Sequence, residues 1–219
     1  MTRTRIIGDI HGKTYDYEIH CLKQGIRHAN EEYPLRSIQV GDFGIGFANQ
    51  YWHDEMNKWM KANPSHRFIR GNHDDPSRCY DMANFIPDGT VEGDVMYVGG
   101  AWSIDYGWRT AGVDWWANEE LSVGEFEDVI KTYEIVKPRV MITHDCPTQI
   151  AWDMFISRGD SVAGTNQIKT RTGEAFQAMW EIHQPEHWIF GHWHNTRDIT
   201  LHNTRFQCLG ELDYIDIEL

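Results

Sequence analysis

At 219 residues, with 20 Lys+Arg against 33 Asp+Glu and a formal net charge of -13, the chain has room for a sizeable core but carries a surface that repels phosphate backbones. That balance excludes a general grip on long nucleic acid, while divalent cations bound in a pocket would reverse the local sign and admit a small phosphoester. No apolar run approaches the ~20 residues a membrane span needs, and the start MTRTRIIGDIHG moves into a strand without a signal-peptide core. The four cysteines, Cys21, Cys79, Cys146 and Cys208, lack the paired spacing of zinc or redox motifs. These features predict one domain over residues 1–219, unexported, with no membrane partner and a cytoplasmic setting.

In chain order, RIIGD reads as a buried strand that ends at a carboxylate. A helical face with Ile19, Leu22 and Ile26 follows, and then the strand RSIQVGD. In NQYWHDEMNKWMKAN, Trp52, Met56, Trp59 and Met60 share a helical stripe that closes before Pro64. HRFIRGN and VMYVGG are further strands, and between Ser103 and Ser122 lies a loop rich in aromatic residues. Ser122 and Glu125 form a capping box ahead of Phe126, Val129, Ile130 and Tyr133. RVMITHD is a strand, Phe176, Met179, Trp180 and His183 form a helical stripe stopped at Pro185, and HWIFGH is a strand again. The tail RFQCLGELDYIDIEL alternates like terminal strands. The pattern predicts an α/β sandwich with helices outside.

The strand ends carry the chemistry. Asp9 and His11 of GDIHG are two residues apart, so an extended backbone would point both side chains to one side, and His192 and His194 of GHWHN repeat that spacing. GDFGIGF adds Asp42 between a glycine and an aromatic residue, RGNHDD adds Asn72, His73 and Asp74, and ITHDCP adds His144. Taken singly, each fragment is an ordinary turn or a packing residue. Together they bring oxygen and imidazole donors without thiolate from five strand ends, a set suited to manganese, iron or zinc.

The ordered set Asp9-x-His11, Gly41-Asp42, Gly71-Asn72-His73-Asp74, His144 and Gly191-His192-x-His194 resembles the blocks of the calcineurin-like metallophosphoesterase superfamily. The resemblance implies a four-layer α/β/β/α sandwich with two mixed sheets and a site for two divalent metal ions, manganese first among them. By that resemblance Asp9, His11 and His194 would bind one ion, Asn72, His144 and His192 the other, and Asp42 would bridge them. The implied reaction is hydrolysis of a phosphoester by a metal-bridging hydroxide, with charge on the phosphoryl oxygens neutralised by the cations. His73 would stabilise the transition state or protonate the leaving oxygen, and Asp74 would hold the imidazole and raise its pKa.

One block departs from the pattern. In phosphoprotein phosphatases Gly-Asp continues into Asp-Arg-Gly, whose guanidinium grips phosphate, whereas here Phe43 to Phe47 follow. Arg70 before GNHD keeps a protein phosphatase among the alternatives. The other substrate candidates are Arg109, which either contacts phosphate or pairs with a nearby acid, and Trp115 and Trp116, which either form a wall for a flat group or bury. Lys13 is either a basic contact or a solvated helix-start residue. The expected activity is that of a metal-dependent phosphoesterase on a small-molecule substrate, with a nucleotide-like diester favoured. The rivals are a phosphomonoesterase, including a Ser/Thr protein phosphatase, and a non-catalytic metal-binding scaffold.

Overall fold

The computed structural model describes residues 3–12, 36–47, 49–158 and 169–219. Lys13, Cys21 and the expected helical face with Ile19, Leu22 and Ile26 lie outside the described residues. A four-stranded sheet has the order β10-β1-β2-β3, from β1 (Arg3–Ile7), β2 (Ser37–Gln39), β3 (His66–Phe68) and β10 (Tyr214–Glu218). A six-stranded sheet has the order β4-β5-β6-β7-β9-β8, from β4 (Thr90–Glu92), β5 (Val95–Val98), β6 (Val140–Thr143), β7 (His187–Phe190), β8 (Arg197–Leu201) and β9 (Thr204–Cys208). Both sheets are mixed. β1, β2 and β3 run parallel with β10 antiparallel at the edge, and β5, β6, β7 and β9 run parallel between the antiparallel edges β4 and β8.

Alternation along the central strands produces the layers. Val95 and Tyr97 of β5, Val140 and Ile142 of β6 and Ile189 of β7 point toward the other sheet, where Ile6, Ile38, Val40 and Ile69 meet them. Their neighbours Met96, Val98, Met141, Trp188 and Phe190 point the opposite way, into a core closed by helices. Those helices are α3 (Val123–Val136), α4 (Thr148–Met154) and α5 (Arg171–Ile182). On the far face of the smaller sheet, Trp52, Met56 and Met60 of α1 (Gln50–Ala62) pack on Phe43, Ile45 and Phe68, beside the short α2 (Pro76–Cys79). The result is helix, sheet, sheet, helix, as expected.

Local signals account for the boundaries. Asn49 caps α1 by accepting from the Trp52 N–H at 2.9 Å. Ser122 and Glu125 form the reciprocal capping box of α3, which ends at Lys137 in the left-handed region just before Pro138. His183 follows α5 as an extended cap residue and its Nε2 meets the Pro138 carbonyl at 3.0 Å, so it packs at the helix end rather than on the helical stripe. Among the described residues no helix is long and apolar enough to cross a membrane.

Candidate metal centre

The parallel strands β1, β2 and β3 and, in the other sheet, β6 and β7 deliver their C-terminal ends to one place, the general position for chemistry in open α/β sheets. Asp9 and His11 follow β1, Asp42 follows β2, Asn72 and His73 follow β3, His144 follows β6, and His192 and His194 follow β7. The side chains do not reach the centre from extended backbone, as the two-residue spacing suggested. Each pair lies past its strand, and His11, Asp42, His192 and His194 have positive φ of 47°, 55°, 66° and 48°. Non-glycine residues in that region carry a cost of about 1–3 kcal/mol each. The left-handed turns aim the side chains inward, and the fold bears the strain where the donors converge.

Two glycines make the approach possible. A Cβ on Gly71 would lie 2.0 Å from Asp42 Oδ1, and one on Gly191 would lie 2.1 Å from Asp9 Oδ1. Any side chain there would displace a carboxylate from the centre.

Donor atoms of Asp9, His11, Asp42 and His194 lie within 4.8 Å of one another. His194 Nε2 is 3.3 Å from Asp9 Oδ2, and His11 Nδ1 is 3.8 Å from Asp42 Oδ2. On the other side of Asp42, His144 Nε2 is 3.3 Å from Oδ1 and 3.0 Å from Asn72 Oδ1, which is 2.9 Å from His192 Nδ1. Asp42 thus stands between two donor groups. Its Oδ1 accepts from the His73 N–H at 2.8 Å, while Oδ2 is buried and has no hydrogen-bond partner among the described residues. An orphaned, buried carboxylate oxygen facing imidazoles is costly unless a cation completes it, so this donor set can bind a metal.

The buried carboxylates set the protonation of the imidazoles around them. Burial alone would lower the His144 pKa, but the Asp42 carboxylate outweighs it and holds the imidazole up to about 10. Burial likewise opposes ionisation of Asp42, and the flanking imidazoles of His144 and His73 hold its pKa well below the usual range. Burial pushes His73 down to about 4, with Asp42 opposing and Arg109 assisting.

Asp74 does not hold the His73 imidazole. Its carboxylate accepts from the backbone N–H groups of Phe43, Gly44, Ile45 and Gly71 at 3.0, 2.7, 2.8 and 2.8 Å. Four donors saturate it, so it ties the loop after β2 to the loop after β3 and leaves no lone pair for His73. The expected rise in the His73 pKa is therefore reversed, because the ring is buried and gains a guanidinium neighbour rather than Asp74.

Arg70 is also withdrawn from substrate. Its buried guanidinium donates from Nε to Asp88 Oδ2 at 2.7 Å and from Nη1 to the Glu119 carbonyl at 2.6 Å, which braces the loop before α3. Cys146 is buried, and burial raises its thiol well above its ordinary pKa, in keeping with packing rather than nucleophilic attack.

A cavity of about 460 Å³ opens over the exposed side of the cluster, lined by His11, Phe47, His73, Arg109, His194 and Glu211 among others. Arg109 lines it, with Nη2 3.4 Å from His73 Nε2, and its Nε pairs with an acid, Asp105, at 2.6 Å. The expected tryptophan wall does not form. Trp116 is buried behind Phe47 at a ring distance of 5.7 Å, and Trp115 packs toward Tyr106 at 6.0 Å. The aromatic surface of the cavity is Phe47, over which the Arg109 guanidinium lies 5.4 Å from the ring centre. Phe47 closes the GDFGIGF stretch where the arginine motif was missing, so its place was signalled. Glu211, on the turn before β10, carries no such signal.

No family model matches the sequence, and no curated protein matches it. The fold is shared with solved structures at low identity. A provisionally assigned 5′-nucleotidase from Staphylococcus aureus, solved in complex with alpha-ketoglutarate, is 13% identical with a TM-score of 0.54, the alignment covering 96% of this chain and 49% of that one. GAP50, the anchor in the inner membrane complex of Plasmodium, is 13% identical with a TM-score of 0.51, covering 96% of this chain and 72% of that one. The chain spans about half the length of the nucleotidase-like structure. One neighbour carries an enzyme's name and the other an anchor's, so the shared 5′-nucleotidase-like fold does not choose a function.

Proposed function

We propose that the chain is a metal-dependent phosphoesterase of the calcineurin-like class, forming one domain over residues 1–219. The observation that carries this reading is Asp42, whose buried Oδ2 lacks a hydrogen-bond partner among the described residues and lies between two groups of imidazole and oxygen donors. Asp9, His11 and His194 would hold one divalent ion, Asn72, His144 and His192 a second, and Asp42 both. Manganese suits this oxygen and nitrogen set best, with iron or zinc as alternatives. Such ions polarise a phosphoryl oxygen and activate water for in-line attack.

The chain's own residues supply the rest. Arg109 orients a phosphoryl oxygen from the cavity wall, and His73 donates its ring N–H to the phosphoester at a non-bridging or leaving oxygen. Phe47 offers a flat face to the leaving group. Among the described residues that line the cavity, the one guanidinium is already paired with Asp105, and Glu211 adds negative charge at the mouth. That balance opposes a dianion and favours a monoanionic, nucleotide-like diester over a phosphomonoester or phosphoprotein. The burial of Arg70 removes the feature that had favoured a protein phosphatase. A reducing, cytoplasmic setting fits the buried thiols of Cys79, Cys146 and Cys208.

The test is turnover of matched aryl phosphate mono- and diesters by stripped protein reloaded with manganese, iron or zinc. Diester preference is expected. Monoester preference would reverse the substrate assignment, and metal binding without turnover would support a scaffold.

A further inference from the structure

Asn72 presents a choice that a carboxylate ligand does not. One end of its amide accepts and the other donates, so it helps a cation when Oδ1 faces inward and repels it when Nδ2 does. The structure contains a device that sets this polarity. Ser103 donates its backbone N–H to Glu119 Oε1 at 2.8 Å and its hydroxyl to Glu119 Oε2 at 2.5 Å. A hydroxyl has one proton and an ionised carboxylate accepts only, so the Ser103 proton is directed to Glu119 and an oxygen lone pair faces Asn72. Asn72 Nδ2 donates to that oxygen at 3.0 Å. Its Oδ1 is then turned inward, 3.0 Å from His144 Nε2 and 2.9 Å from His192 Nδ1.

All three residues are buried, at 2%, 1% and 3% exposure for Asn72, Ser103 and Glu119, which leaves little room for water to replace a broken bond. The Glu119 backbone is held as well, since its carbonyl accepts from Arg70 at 2.6 Å. We propose that Glu119, acting through Ser103, is a positioning residue that sets the orientation of the Asn72 amide and so permits a cation beside His144 and His192. This rests on the metal-centre reading above. A merely structural Glu119 would pin the loop before α3, and the direction of the hydrogen bonds would not matter.

The substitution Glu119→Gln separates the two. The introduced amide keeps its shape and its acceptor for the Ser103 N–H, which turns its donor end to the Ser103 hydroxyl. That buried hydroxyl then satisfies its own proton by donating to Asn72, which turns the Asn72 amide so that Nδ2 faces the cation. Calorimetric titration of the stripped full chain with manganese should show two sites in the unmodified protein. Glu119→Gln should weaken one of them about 10- to 100-fold and leave the other unchanged. Ser103→Ala should weaken the same site less, and Ser103→Thr, which keeps the hydroxyl, should restore it. In an Asn72→Asp background the Glu119→Gln penalty should vanish, because both carboxylate oxygens accept.

Unchanged affinity at both sites in a folded Glu119→Gln protein would overturn the proposal. So would a penalty that persists beside Asn72→Asp. If Glu119→Gln does not fold, equal manganese affinity in Ser103→Ala and Ser103→Thr overturns it instead. Absence of manganese binding in the unmodified protein would overturn the metal centre and this inference together, whereas two intact sites with an indifferent Glu119→Gln overturn the inference alone.

Discussion

Asp42 and Asp74 occupy adjoining loops, follow neighbouring strands of one sheet and are both fully buried, yet their hydrogen-bond partners differ completely. Among the described residues Asp74 accepts four backbone N–H groups, whereas Asp42 accepts one backbone N–H on Oδ1 and leaves Oδ2 without a hydrogen-bond partner among imidazoles. The difference separates a carboxylate that fixes loops from one whose oxygen is open to a cation, and residue type alone does not reveal it. Asp74 makes the site possible by holding the Phe43–Ile45 backbone against Gly71, which keeps Asp42 in its left-handed turn.

The largest expected effect comes from Asp42→Asn. It should abolish hydrolysis and lower metal affinity at least about 100-fold while the thermal midpoint stays within a few degrees, because the amide retains the acceptor for the His73 N–H. Wild-type metal content and turnover in this variant would erase the contrast with Asp74. Asp74→Asn should do the reverse. Placing an amide NH₂ against buried N–H donors costs about 2–3 kcal/mol, or roughly 5–10 °C in midpoint for a chain of this size. Measured below that midpoint, it should still bind metal; loss of metal without loss of stability would contradict the assignment.

The two arginines sharpen the same distinction at smaller scale. Arg70→Met should destabilise by about 3 kcal/mol, since it leaves Asp88 buried without its partner, and should leave KM unchanged. Arg109→Ala should raise KM about 10-fold with little effect on the midpoint, because the side chain borders the cavity and its ion pair with Asp105 is partly exposed. Exchange of these two outcomes would mean that Arg70 is the substrate contact. The smallest effect belongs to Asp216, whose pKa is lowered by hydrogen bonds from Arg5 and Arg3. A carboxylate with a depressed folded pKa contributes stability above its unfolded value near 4, lost as pH falls through the lower folded value. Asp216→Asn should therefore flatten acid unfolding in that window and leave the neutral-pH metal affinity unchanged.

The α/β sandwich and the strand-end placement of the donors were legible in the sequence because apolar runs ending in Gly-Asp, Gly-Asn-His and Gly-His report buried strands and the loops beyond them, while the order of four layers followed from the family resemblance of those blocks. The capping box at Ser122 was readable for the same reason, since its chemistry is local. Hydrogen-bond direction was not readable. Asp74 beside His73 suggested a pair, but a left-handed turn at Asp42 brings the Phe43–Ile45 amides to it instead. The places of Arg70 and the tryptophans were not readable because their partners, Phe47 after β2, Asp88 before β4 and Tyr106 and Glu119 after β5, are brought together by the tertiary path of separate loops. The short edge strands β4 and β8 carried little signal, being half-buried at best.

The most direct test is the metal content of the stripped chain after equilibrium dialysis against manganese, read by elemental analysis beside Asp42→Asn. About two ions per unmodified chain and a clear loss in the variant are expected for a shared carboxylate at a two-metal site. Absence of stoichiometric binding, or equal binding in both proteins, would contradict the assignment of Asp42 as the centre of the site.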